Sequence, residues 1–222
     1  MAADPRLVVF DWDGTLVDSL ATIVDAFSQA FSAAGVPAPP AAAVRRVVGL
    51  TLAEAVETLA PGQPAETLER LAAAYRQAYT ALLVREGAPE RLFDGVEEVL
   101  TLLVREGWVL GIATGKSQRG LAAALTRHGL NGRFATLQTA DQGPGKPHPA
   151  MLERAMGEVG VAPEATVMVG DTVFDMAMAR AAGATAVGVT WGYHPAEDLR
   201  GAGAVAVLET MDELPALLRS IL

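Results

Sequence analysis

The chain has 222 residues, 51% of them hydrophobic, a formal net charge of −9 and no cysteine. That apolar content is enough to bury one or two domain cores and excludes a disordered regulator, while the missing cysteine excludes a disulfide scaffold, a thiol nucleophile and any cysteine-held zinc or iron–sulfur site. With 17 basic against 26 acidic residues and no basic cluster of five, a nucleic-acid partner is not expected.

The opening MAADPRLVVFDWDG has no basic stretch followed by an apolar core, so no signal peptide is expected. No apolar run approaches the roughly 18–20 residues that span a bilayer, and a soluble, cytoplasmic protein without a membrane partner is expected. Leu7-Val8-Val9-Phe10 reads as a strand buried on both faces. Beyond Asp11-Trp12-Asp13-Gly14-Thr15 the period becomes helical, with Leu20, Ile23, Phe27 and Phe31 on one face and Gly35 and Pro37 as the stop. Two short helices are expected around Gly49, and a longer one over 64–86 ending at Gly87. Nothing between about 18 and 92 reads as a strand.

After that block, strands and helices alternate. Asp94 is placed to cap a helix bearing Val96, Val99, Leu100 and Leu103, stopped at Gly107. Strands are expected at Val109–Ala113, Phe134–Thr139, Ala165–Val169, Ala184–Thr190 and Ala204–Leu208. Helices are expected after Ser117 as far as His128, over 149–159, from Asp171 through Ala182, and at the C-terminus. This order predicts an α/β fold, a doubly wound parallel sheet with helices on both faces. The expected division is a catalytic core of 1–17 and 93–222 carrying an all-helical cap of 18–92, with hinges near Val17–Ser19 and Arg91–Asp94. The cap holds 8 acids and 6 arginines, the remainder 18 acids and 11 bases, so the cap is the less acidic face for an anionic substrate.

Four polar sets follow strands or precede helices: Asp11/Asp13/Thr15, Thr114, Lys146 and Asp171/Asp175. In an open α/β sheet the carboxyl ends of the strands form the ligand crevice, and helix N-termini there favour phosphate. Cleaving a phosphate monoester demands a nucleophile, an acid/base and cations around the charge on the transferring group. Asp11 and Asp13 can converge where a strand turns. Asp11 and Asp171 suit a hard cation such as Mg²⁺, and a lysine and a hydroxyl would orient the remaining oxygens.

The motifs Asp11-Trp12-Asp13-Gly14-Thr15-Leu16-Val17-Asp18-Ser19, Thr114, Gly145-Lys146-Pro147-His148-Pro149 and Gly170-Asp171-Thr172-Val173-Phe174-Asp175 resemble those of the haloacid dehalogenase superfamily. The closest likeness is to its phosphoglycolate phosphatase group, which carries a helical cap after the first motif. The resemblance implies that Asp11 is the nucleophile forming an aspartyl-phosphate. It makes Asp13 the acid/base, and it makes Thr114, with Gly115, and Lys146 the phosphate-binding groups. Mg²⁺ would be held by Asp11, the carbonyl of Asp13 and Asp171, with Asp175 orienting its water shell.

The same likeness favours hydrolysis. Asp13 is absent from the superfamily's dehalogenases, the cap contains only arginines where phosphonatases use a lysine, and Gly14-Thr15 and Gly170-Asp171 depart from the β-phosphoglucomutase pattern. The implied activity is a Mg²⁺-dependent phosphatase for a small phosphorylated metabolite, phosphoglycolate foremost, working as a monomer or homodimer. Sugar phosphates, nucleoside monophosphates and pyrophosphate remain as other substrates. A phosphomutase and a receiver-like phosphoacceptor domain are the rivals, the latter disfavoured by the helical insertion. Arg45, Arg46 and the Gly49-Leu50-Thr51 loop are the candidate cap contacts to substrate. Lys116 reads as a loop lysine, and Tyr75 and Tyr79 as helix packing. His128, His148 and His194 lack the spacing of a metal site.

Overall fold

The computed structural model describes residues 5–84 and 90–222. The chain builds a six-stranded sheet from β1 (Arg6–Phe10), β4 (Trp108–Thr114), β5 (Thr136–Thr139), β6 (Thr166–Gly170), β7 (Thr185–Val189) and β8 (Ala206–Leu208). The order is β5-β4-β1-β6-β7-β8, and every pairing is parallel. β1 is central, with Phe10 in register with Ile112 of β4 and Val169 of β6. The winding reverses at β1, so the crevice between its end and those of β4 and β6 is the switch point of the sheet.

The continuous apolar run of β1 has a physical reason. Its alternate side chains enter two separate cores, because successive residues of a strand face opposite ways. Val8 and Phe10 pack with Leu110, Ile112 and Val169 beneath α5 (Val96–Arg105), α6 (Gln118–Arg127) and α10 (Leu214–Ile221). Leu7 and Val9 pack with Met168 and Ala186 beneath α7 (Ala150–Val159), α8 (Val173–Ala181) and α9 (Ala196–Ala202). A strand buried on both sides has no edge to slide along, so the residue after it, Asp11, is held firmly.

Between β1 and α5 the chain makes a helical layer of α1 (Leu20–Ala33), α2 (Ala41–Val47), α3 (Leu52–Leu59) and α4 (Ala65–Val84). These helices share a third core of Ile23, Phe27, Phe31, Val44, Val56 and Leu71. Tyr193, from the loop after β7, is buried in the same core.

The structure corrects several expectations. The 18–92 region does contain strand: β2 (Val17–Asp18) pairs antiparallel with β3 (Arg91–Leu92) where the chain enters and leaves the helices. Two residues per strand are too few to show a period. The N-cap of α5 is Gly95, not Asp94, and it has no side chain to cap with. β5, β6, β7 and β8 start one or two residues later than expected, and β4 starts one residue earlier. The helix α9 was not anticipated, since its sequence has few apolar residues to mark a face. The expected stop at Gly87 lies outside the described residues. Among the described residues no helix is long and apolar enough to cross a membrane.

Candidate active site

The site lies at the carboxyl ends of β1, β4 and β6. Asp11 directly follows β1, and its backbone N–H donates to the Val169 carbonyl at 2.9 Å. The chain then turns sharply, with the N–H groups of Leu16 and Val17 both returning to the Trp12 carbonyl at 3.0 Å. That turn brings together two aspartates which an extended strand would send to opposite faces. Gly14 makes it possible. It sits at φ +84°, and a Cβ there would lie 2.3 Å from Asp171 Oδ2.

The two carboxylates meet different surroundings. Asp11 Oδ1 accepts from the Trp12 N–H at 2.6 Å and pairs with Lys146 Nζ at 2.8 Å, while Asp11 Oδ2 is buried with no partner. Asp13 Oδ1 accepts from the Ser19 hydroxyl at 2.5 Å and pairs with Lys116 Nζ at 2.9 Å. One carboxylate therefore keeps a buried oxygen without a partner, and the other is held both by Ser19, just before α1, and by Lys116, just after β4.

Lys146 is fully buried and also pairs with Asp175 Oδ1 at 2.6 Å. Burial disfavours its ammonium, but the charges of Asp11 and Asp175 outweigh that and raise its pKa, so it stays charged. Asp175 is oriented by the first turn of α8. Thr172 caps the helix by accepting from the Asp175 N–H at 3.4 Å, and Asp175 Oδ2 in return accepts from the Thr172 N–H at 3.1 Å and hydroxyl at 2.7 Å. Asp171 Oδ1 accepts from Thr15 at 2.8 Å and Oδ2 from the Tyr193 N–H at 2.9 Å.

Asp11, Asp171 and Asp175 each bring an oxygen within 4.8 Å of the others. Their like charges, packed into a buried site, have an electrostatic consequence. Burial first, then the repulsion of Asp175 and Asp13 offset by Lys146, lifts the Asp11 pKa to about 7. Burial, followed by Asp11 and Asp175, lifts Asp171 well above the carboxylate range. Three buried carboxylates that can each turn an oxygen to one point form an all-oxygen donor set, which fits a hard divalent cation.

The profile of the family described as Haloacid dehalogenase-like hydrolase matches residues 8–189. The chain belongs to this family. Among its relatives, a Dickeya dadantii protein named "Probable phosphatase IndB" is 39% identical over 220 residues, covering 97% of this chain and 94% of that one. A phosphoglycolate phosphatase of Nitrosococcus oceani is 30% identical over 227 residues, covering 98% of each chain. The solved structure of a hydrolase from Pseudomonas syringae superposes with a TM-score of 0.86 at 28% identity, covering 96% of this chain and 97% of that one. This haloacid dehalogenase-like hydrolase is a phosphatase.

In this haloacid dehalogenase-like hydrolase, contacts link Asp11, Lys146, Asp171 and Asp175 in one buried cluster, and Asp13 stands two residues from Asp11. Thr114 is fully buried at the end of β4, and its hydroxyl oxygen accepts from the Lys116 N–H at 3.2 Å. At Gly115 a Cβ would lie 2.4 Å from the Leu50 carbonyl, so this glycine lets the 49–51 loop approach the core. Arg45 and Thr51 are occupied elsewhere. The Arg45 guanidinium donates to the Gly192 and Tyr193 carbonyls, both at 2.8 Å. The Thr51 hydroxyl accepts from the Glu54 N–H and donates to its carboxylate, capping α3. Neither side chain hydrogen-bonds to the carboxylate cluster.

Several residues escaped the sequence reading. Lys116 contacts Asp13, and Ser19 joins Asp13 to Tyr193, whose hydroxyl accepts from the Ser19 N–H at 3.3 Å. Tyr79 does more than pack its helix, for its hydroxyl contacts both Lys116 and Glu90. One signal was available: the chain has only two lysines, and both stand in this site.

Proposed function

We propose that this phosphatase hydrolyses a small phosphorylated metabolite, phosphoglycolate foremost, through an aspartyl-phosphate on Asp11 with Mg²⁺ as its metal. The observation that carries the reading is the oxygen pair of Asp11. Oδ1 is held by Trp12 and Lys146, and Oδ2 is buried without a partner. A carboxylate fixed on one oxygen has its other oxygen oriented for attack.

In the first half-reaction Asp11 Oδ2 bonds to phosphorus and the ester P–O bond breaks, while Asp13 gives its proton to the departing alcohol oxygen. In the second, Asp13 takes a proton from water, the water oxygen bonds to phosphorus, and the bond to Asp11 breaks to release inorganic phosphate. Lys146 and Thr114 orient the phosphoryl oxygens throughout. Asp11, Asp171 and the Asp13 carbonyl would hold Mg²⁺, with Asp175 supporting its waters. The ion would supply positive charge to offset repulsion between the anionic nucleophile and the anionic phosphate.

The helical layer, residues 18–92, acts in this reading as a cap that excludes bulk water from the core formed by 1–17 and 93–222. The Nitrosococcus oceani relative's name supports phosphoglycolate, as does the likeness of the motifs.

The test is release of inorganic phosphate from a panel of phosphorylated metabolites, with and without Mg²⁺, beside the Asp11→Asn variant. Metal-dependent release from phosphoglycolate, lowered at least about 10³-fold in the variant, is the expected result. Sugar-phosphate isomerisation with little phosphate released would replace hydrolase with mutase.

A further inference from the structure

Lys116 is a buried cation that the chemistry above leaves without a task. It follows Thr114 and Gly115 at the end of β4, and its side chain is 11% exposed. Its ammonium lies 2.9 Å from Asp13 Oδ1, donates to the Tyr79 hydroxyl at 2.8 Å and stands 4.8 Å from the centre of the Tyr79 ring. Tyr79, from α4, donates in turn to Glu90, whose other oxygen is 3.5 Å from Arg127 Nη1. An ammonium has three N–H donors, so one remains for a third acceptor.

Other nearby cations are committed. Lys146 stands between Asp11 and Asp175, Arg45 holds two backbone carbonyls, and Arg127 pairs with Glu90. Among the described residues, Lys116 is the cation in contact with Asp13. On the phosphatase reading Asp13 touches the departing oxygen of the substrate, at about 2.6–3.2 Å. Lys116 Nζ, 2.9 Å from Oδ1 of the same carboxylate, then lies within about 8 Å of that oxygen, whichever carboxylate oxygen it touches. A carboxylate one or two carbons along the departing alcohol spans that gap and meets the ammonium at an ion-pair distance of about 2.7–2.9 Å.

We propose that Lys116, held in place by Tyr79, is a specificity-determining residue that binds a carboxylate on the departing alcohol, selecting phosphorylated hydroxy acids over phosphomonoesters whose alcohol part carries no charge. This rests on the phosphatase reading and names the feature of the substrate that the site selects. Tyr79 is a positioning residue: it touches Lys116 from the cap side, so the ammonium reaches its full set of partners only when α4 is seated.

The test compares kcat/KM for phosphoglycolate with that for 2-hydroxyethyl phosphate, which has the same number of carbons and no carboxylate, in the Mg²⁺-loaded enzyme. The wild type is expected to prefer phosphoglycolate, and Lys116→Met to shrink the ratio by about 10- to 100-fold, as loss of a charge-assisted contact does. Lys116→Arg should restore part of the ratio. Tyr79→Phe keeps the ring but frees the ammonium, and should lower the ratio by at least about threefold, mainly by raising KM for phosphoglycolate. Should Lys116→Met slow both substrates equally, Lys116 serves Asp13 alone and the proposal is overturned; a wild type indifferent to the carboxylate overturns it as well. Phosphate release from neither substrate would instead remove the phosphatase reading beneath it. If Lys116→Met melts well below wild type, Tyr79→Phe and Lys116→Arg carry the comparison.

Discussion

Asp11 illustrates how a buried carboxylate is kept at the expense of the fold. Its pKa is raised to about 7, by burial above all and by the neighbouring carboxylates. The sign of the resulting pH dependence follows directly. Between about 4 and 7 the folded protein keeps a proton that the unfolded chain has released, so this residue's contribution to stability is present at low pH and lost as pH rises towards 7. Asp11→Asn should therefore abolish phosphatase activity yet flatten that part of the pH–stability curve. Urea unfolding of the metal-free proteins at pH 5 and pH 8 measures it: wild type should lose more stability across the interval than the variant. Asp11, Asp13, Asp171 and Lys146 were legible in the sequence because each sits in a short contiguous motif after a strand or beside glycine and proline. The partners of Lys116 were not, because Tyr79 is 37 residues away and only the folding of α4 against the core brings them together.

The helix α8 does two jobs with one pair of side chains. Thr172 caps it, and the Asp175 that completes the cap also pairs with Lys146. Thr172→Val keeps the shape and removes the hydroxyl. Loss of an N-cap typically costs about 1 kcal/mol, which for a chain of this size lowers Tm by roughly 2–4 °C. Because Asp175 is loosened by the same change, metal affinity should fall with it, read by calorimetric titration; a lower Tm at unchanged affinity would show that Lys146 and the backbone N–H of residue 172 hold Asp175 without the hydroxyl. The strands that enter two cores announced themselves as apolar runs, whereas β2 and β3, α9 and the Gly95 cap depend on pairing and packing that no local period records.

Across the whole molecule, the helical layer and the sheet are joined by a small set of polar contacts around the site. Arg45 holds the carbonyls of Gly192 and Tyr193, and the Tyr193 N–H holds Asp171. The position of α2 is thereby linked to a carboxylate of the cluster. Arg45→Ala removes two charge-assisted hydrogen bonds of the kind worth about 1.5–3 kcal/mol each. Amide hydrogens of α2 and of residues 191–194 should then exchange about tenfold faster or more, with those of β1 unchanged, and kcat/KM should fall. Uniform acceleration through β1 would mean that the variant had lost global stability instead. The α/β architecture and the helical block were legible from the switch in hydrophobic period. How one lies on the other was not, since it depends on residues 147 and 148 positions apart in the chain.

The paired strands β2 and β3 carry a consequence for how such a protein can change over generations. Val17 lies opposite Leu92, and Asp18 opposite Arg91, so the chain departs and returns at neighbouring points, about 5 Å apart in a ladder of this kind. A tight turn could bridge that gap without disturbing β1. The helical segment thus leaves and rejoins the sheet through one paired ladder, so a change in its length need not displace β1. A segment exchanged at that ladder would have to replace the grip of Ser19 on Asp13 and of Arg45 on the 192–193 backbone.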